Sequence, residues 1–243
     1  MLGRAPLFIG ILALACAQAN EPSASRDAGP GAFSLEAATD LDATYLQPNV
    51  EDKDGIGGYV HVTAADMPLR VAIGYPRVAA RHGSREETRG AAIEAMQMWE
   101  TAIQPTVPWF RLEFVEKDPD AAVQVVWKSR ITGPWGGFGG IAYRIDGERL
   151  RVGGKLEIST TPLGAYGKDA RLEVDEIRLL IAHEFGHVLG LMHCLDCDSA
   201  MNYAWHTRGR IIVTELDALT FAALVEIPNG TRVDDRPLSF LPR

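Results

Sequence analysis

His183-Glu184-Phe185-Gly186-His187-Val188-Leu189-Gly190-Leu191-Met192-His193 sets three imidazoles, one carboxylate and one turn-forming glycine within eleven residues, and three of the chain's six histidines fall there. Residues four apart on a helix differ by about 40° of rotation, so His183 and His187 point the same way and reach one metal ion. Glu184 stands one step round, beside the metal rather than on it. Gly190 suits the left-handed conformation that ends a helix, turning the chain back so that His193 becomes the third ligand. Three protein ligands leave one position of a Zn2+ ion open for water, which is the mark of a catalytic site.

The rest of the chain limits what surrounds this segment. Its 243 residues, 47% of them apolar, fit one generous domain plus flanks, expected as a monomer. A net charge of -8 without any basic block excludes nucleic acid as a partner. Arg4 followed by the apolar stretch Ala5–Ala15, too short to span a bilayer, reads as an export signal. Ala17-Gln18-Ala19 offers a cleavage site that would make 1–19 the signal peptide. Cys16 directly after Ala15 resembles a bacterial lipoprotein site, which would shorten the signal to 1–15 and attach the chain to a membrane through a lipid on Cys16. Both readings make the protein exported, either secreted or held in the cell envelope. Cys194 and Cys197 are then the remaining cysteines, and a short disulfide is expected in an oxidising compartment. A metal-binding thiolate and a redox pair stay open as alternatives.

Residues 20–58 are rich in Pro, Ala, Ser, Gly and Asp and read as a flexible tether or short propeptide. The catalytic domain is expected over 59–230, with a tail over 231–243. Tyr59-Val60-His61-Val62 and Leu69 to Tyr75 look like strands, the second stopped by Pro76. Ser84 and Glu87 form a capping box, and Ala92, Met96, Trp99 and Ile103 recur at helical spacing up to Pro105. Phe110, Leu112 and Phe114 alternate, and Ala122 to Trp127 reads as a buried strand. The Gly133–Gly140 stretch lacks a phosphate-loop lysine and calcium-binding aspartates, and reads as a flexible loop near a cleft. Asp146-Gly147 suits a hairpin turn between Ile141–Ile145 and Leu150–Val152, and Leu156 to Thr160 is a further strand. The zinc helix is expected to start near Glu173 to Asp175 and bury Val174, Ile177, Leu180, Ile181 and Val188. A last helix runs from Thr214 to a stop at Pro228-Asn229-Gly230.

The spacing HExxHxxGxxH resembles the metzincin clan of zinc endopeptidases, and the order of elements from Tyr59 to Gly230 is similar to that clan's catalytic domain. The resemblance implies an α+β zincin fold. A twisted mixed sheet, a long helix and the zinc helix would be followed by a methionine turn and a C-terminal helix. Ser199-Ala200-Met201-Asn202-Tyr203 supplies the methionine eight residues after His193, a spacing similar to matrixins. Met201 would lie beneath the imidazoles without touching zinc. Tyr203, two residues further on, resembles the astacins and serralysins, where such a tyrosine binds zinc at rest and supports the transition state. Cys194 and Cys197 depart from the matrixin pattern, and the spacing also differs from archaemetzincins. The absence of histidine between His82 and His183 puts a second, structural zinc in doubt. A Ca2+ site has no support in the sequence, though nothing in it forbids one.

By that resemblance, zinc held by His183, His187 and His193 would activate water, with Glu184 as general base and Tyr203 assisting, to cut peptide bonds in a protein or peptide substrate. The substrate would add as a strand to the sheet edge, for which Leu156 to Thr160 is the candidate, and Ala204 to Arg210 would wall the specificity pocket. Two other classes share the zinc residues. A hydrolase of a non-protein amide or ester would differ in cleft shape, and a non-catalytic zinc-stabilised binding module would not need Glu184.

Overall fold

The computed structural model describes residues 44–52, 55–131, 136–146, 149–161, 171–203, 213–234 and 236. The export signal, most of the 20–58 segment, the hairpin position Gly147, the Ala204–Arg210 stretch and most of the tail lie outside them. Among the described residues a five-stranded mixed sheet is backed by two long helices and joined by a third. Strands β1 (Val50–Glu51) and β2 (Gly57–Gly58) form a separate antiparallel pair. The main sheet holds β3 (Leu69–Ile73), β4 (Leu112–Val115), β5 (Val123–Lys128), β6 (Gly137–Asp146) and β7 (Arg149–Ser159) in the order β4-β3-β5-β7-β6. Every pairing is parallel except β6 on β7, so β6 forms one edge and runs against its neighbour.

Helix α1 (Arg85–Ile103) begins at the capping box foreseen at Ser84 and Glu87: Ser84 Oγ accepts from the Glu87 N–H at 3.0 Å, and Glu87 Oε2 from the Ser84 N–H at 2.7 Å. Its stripe of Ala92, Met96, Trp99 and Ile103 is wholly buried against the sheet and the second helix. Helix α2 (Val174–Val188) buries Ile177, Leu180, Ile181 and Val188, while Val174 is half-buried. Helix α3 (Glu215–Glu226) starts at Thr214, whose capping box with Asp217 satisfies the first amides, and ends before Pro228.

Four expectations change. Tyr59 to Val62 is extended but not a ladder strand, because side chains take up its backbone groups. Asn49 brackets Val60 and Asn229 brackets His61, while Tyr59 exchanges backbone bonds with Gly230 and Thr231. Ordered structure also starts before Tyr59, since residues 44–52 and 55–58 pack on the domain.

The glycine-rich stretch is no loop from Gly137 onward: Gly137 to Gly140 open strand β6. Gly137 and Gly139 lie on the same face at period two, directly under α2. A methyl group at Gly137 would stand 2.7 Å from Leu180 Cδ1, and one at Gly139 only 2.0 Å from the Glu184 carbonyl oxygen. Gly154 of β7 is equally close to α2, with Val188 Cγ1 at 2.5 Å from its missing methyl. The glycines therefore let a helix settle on bare strand backbone.

Leu156 to Thr160 is the fourth correction. Leu156 to Ser159 lie in β7, flanked by β5 and β6, so this segment is interior to the sheet and has no free edge to offer. The edge belongs to β6. The register of β6 on β7 ends with Asp146 opposite Arg149.

Candidate metal centre

Helix α2 presents His183 and His187 from one face, and Gly190 ends the helical path with φ +94°. The chain reverses over a short set of bonds, Gly190 N–H to His187 O at 3.1 Å and Leu191 N–H to Gly186 O at 2.9 Å, and returns His193 to the same spot. The three rings then stand with centroids 4.7 to 5.2 Å apart. One nitrogen from each lies within 4.8 Å of the others.

The donor chemistry fits a metal cation. His183 Nδ1 sits 2.7 Å from Ala200 O and His187 Nδ1 2.8 Å from Leu191 O, so each Nδ1 carries the proton and each Nε2 presents a lone pair. His183 Nε2 and His193 Nε2 are 3.2 Å apart. Two nitrogens on a tetrahedral zinc ion are separated by roughly 3.3 Å, given bonds of about 2.05 Å. Burial, then the neighbouring His193, pushes His187 down to about 4, and burial also lowers His193. Neutral imidazoles are the ligating form.

Glu184 is buried beside this cluster, and its Oε2 accepts the Gly139 N–H of β6 at 2.5 Å. Burial pushes the carboxyl up to about 8, and the Gly139 bond offsets part of that rise by favouring the charged form. The Glu184 carboxyl is thus fastened to the sheet edge.

Met201 is fully buried against α2, and its Sδ would be 2.1 Å from a methyl at Gly186. Ser199 Oγ accepts the Met201 N–H at 3.0 Å, and Met201 O accepts from Cys194 N–H at 2.9 Å, which fixes the turn. Cys194 and Cys197 are joined in the expected disulfide, with Cα atoms 5.8 Å apart, so neither sulfur is a metal ligand here. The Tyr203 ring stands edge-on to His193 with centroids 5.1 Å apart, and 38% of the residue is exposed. The structure thus gathers His183, Glu184, His187, His193, Met201 and Tyr203 in one place.

Three supports were not foreseen. Trp99 Nε1 donates to Ala182 O at 2.7 Å, tying α1 to the helix backbone just before His183. Gly139 holds Glu184, and its signal was the alternation of Gly137 and Gly139 read as a loop. Asn49 donates to Gly190 O at 3.0 Å, a contact between residues 141 apart that no local pattern announces.

Comparison with known families agrees with this geometry. The family model of matrixins matches residues 77–223, from before α1 to within α3. No curated protein matches the chain. A match over more than half of the chain, joined to a three-histidine cluster, settles kinship: this protein belongs to the matrixin family of zinc metallopeptidases.

Proposed function

We propose that the protein is an exported endopeptidase in which Glu184 is the general base and His183, His187 and His193 hold a single zinc ion. The observation that carries this reading is the placement of a buried carboxylate, fastened by Gly139, directly beside three imidazoles whose Nε2 lone pairs converge. When bound, zinc supplies a Lewis acid that lowers the pKa of water to about 7 and polarises the scissile carbonyl. Glu184 takes the proton as the water oxygen bonds to the carbonyl carbon. It passes that proton to the amine nitrogen as the carbon–nitrogen bond breaks. Tyr203, half in solvent beside His193, donates a hydrogen bond to the oxygen on which negative charge develops.

Strand β6 suits a peptide substrate better than β7, because it is the edge of the sheet and runs over α2 beside Glu184. An extended peptide added to that edge would be held by main-chain bonds, which tolerates varied side chains. Export by an N-terminal signal accords with the generally extracellular life of matrixins, and no helix among the described residues is long and apolar enough to cross a membrane. Lipid attachment at Cys16 remains the other form of the same proposal.

The test is cleavage of an unfolded protein before and after metal removal. Chelation should abolish cleavage and one equivalent of zinc should restore it. A zinc-loaded protein that leaves a proteome-derived peptide library intact would exclude the endopeptidase reading.

A further inference from the structure

The turn that returns His193 to the cluster is gripped from behind by the segment before β1. Asn49 forms a reciprocal pair with the backbone of Val60, accepting its N–H at 2.9 Å and donating Nδ2 to its carbonyl at 2.8 Å. The same Nδ2 donates to Gly190 O at 3.0 Å, which employs both hydrogens of the amide. Two residues earlier, Gln47 Nε2 donates to His193 O at 3.2 Å. Between these two points His187 Nδ1–H donates to Leu191 O at 2.8 Å. Two of the turn's carbonyls therefore depend on one upstream segment. The approach is tight, since a methyl at Gly190 would stand 2.4 Å from Asn49 Nδ2.

That segment is anchored on both sides of Asn49. Tyr45 OH donates to the buried Asp217 at 2.6 Å on one side. On the other, β1 pairs with β2, and Arg232 Nη1 meets Asp52 Oδ2 at 2.8 Å with both side chains buried. Residues 45–52 lie outside the 77–223 span matched to the family, so this grip belongs to the chain's own flanking sequence.

We propose that residues 45–52 are a strap that positions the third metal ligand, with Asn49 and Gln47 as positioning residues acting on His193 through the carbonyls of Gly190 and His193. The inference rests on the metal site proposed above. A glycine with positive φ three residues before a ligand leaves that ligand free to swing away. Fixing the carbonyls at both ends of the turn removes the motion by which His193 leaves the ion, so the strap governs how long metal is retained.

The experiment measures zinc release from the loaded full chain into excess chromogenic chelator. Asn49→Asp keeps the side chain's size and the acceptor for the Val60 N–H but removes the donor to the Gly190 and Val60 carbonyls. Gln47 is exposed, so Gln47→Ala leaves the core untouched. We expect release to quicken about tenfold in Asn49→Asp and about threefold in Gln47→Ala, while urea unfolding of metal-free Gln47→Ala matches wild type. The visible spectrum of the cobalt-substituted form should change in both, a readout that a purely structural role would not move. Release at the wild-type rate in Gln47→Ala, together with either an unchanged rate or failure to fold in Asn49→Asp, would overturn the strap and leave the metal site standing. A wild type that takes up no zinc would overturn both.

Discussion

Gly139 of β6 and Glu184 of α2 join the sheet edge to the zinc helix through one hydrogen bond. The glycine N–H bonds the carboxylate at 2.5 Å, and a methyl on the glycine would stand 2.0 Å from the carbonyl oxygen of the same glutamate. One position thus both orients the Glu184 carboxyl and permits the helix to lie where it does. The obstacle to a methyl is backbone, which cannot rotate away. Gly139→Ala should cost about 1–3 kcal/mol in urea unfolding. If Glu184 is the general base proposed above, it should also lower kcat at least tenfold with a smaller change in KM, because the group displaced is then the one that moves the proton. Wild-type kcat in this variant would contradict the assignment.

Gly186 sets helix propensity against packing. Alanine in a helix interior is better than glycine by about 1 kcal/mol. Here the new methyl would meet Met201 Sδ at 2.1 Å and Trp99 Cζ2 at 2.8 Å. We expect packing to win, with Gly186→Ala destabilising the metal-free protein by about 1–3 kcal/mol. A gain in stability, read from urea midpoints, would show that Met201 does not press on the helix as described.

Proton release on metal binding follows from opposite shifts at neighbouring groups. Burial raises Glu184 from 4.5 to about 8, so at pH 7 the metal-free carboxyl keeps its proton. The stability this confers is complete below pH 4.5 and is lost as pH rises through about 8. His187 shifts the other way, from 6.5 to about 4, so it is already neutral at pH 7 and its contribution is lost only as pH falls through that window. A dication beside Glu184 favours its charged form. Calorimetry in buffers of different ionisation enthalpy should therefore show wild type releasing up to about one more proton at pH 7 than Glu184→Gln. Equal release in the two proteins would contradict a protonated resting Glu184.

The Asp52–Arg232 pair joins the two flanks of the domain through buried side chains. Removing one member leaves the other charged and desolvated. Arg232→Ala should lose about 3–5 kcal/mol, and the Asp52→Asn, Arg232→Met double variant much less. Urea unfolding of the three proteins measures both numbers, and a near-neutral Arg232→Ala would place this contact at the surface.

The ligand spacing, the helix caps and the buried stripes were legible because each is a local pattern. His183, His187, Gly190 and His193 lie within one helix and its turn, and Ser84 with Glu87 spans one helical turn, while Thr214 stands directly before the first residue of α3. What failed was order across the sheet. Leu156 reads as a strand residue whichever neighbours it has, and the register that buries β7 between β5 and β6 depends on partners more than ten residues away. Gly137 and Gly139 misled for a physical reason, since glycine signals freedom in isolation but close approach when a helix lies on it. Asn49 carried no signal at all, because its partners Val60 and Gly190 are brought to it only by the completed fold.

The most direct measurement compares wild type and Glu184→Gln in one preparation, reading bound zinc per chain and cleavage of an unfolded protein. The account predicts one zinc in each, with cleavage in the variant reduced by about a thousandfold or more. Zinc lost together with Glu184, or cleavage undiminished without it, would contradict a site in which three histidines hold the metal and this carboxylate moves the proton.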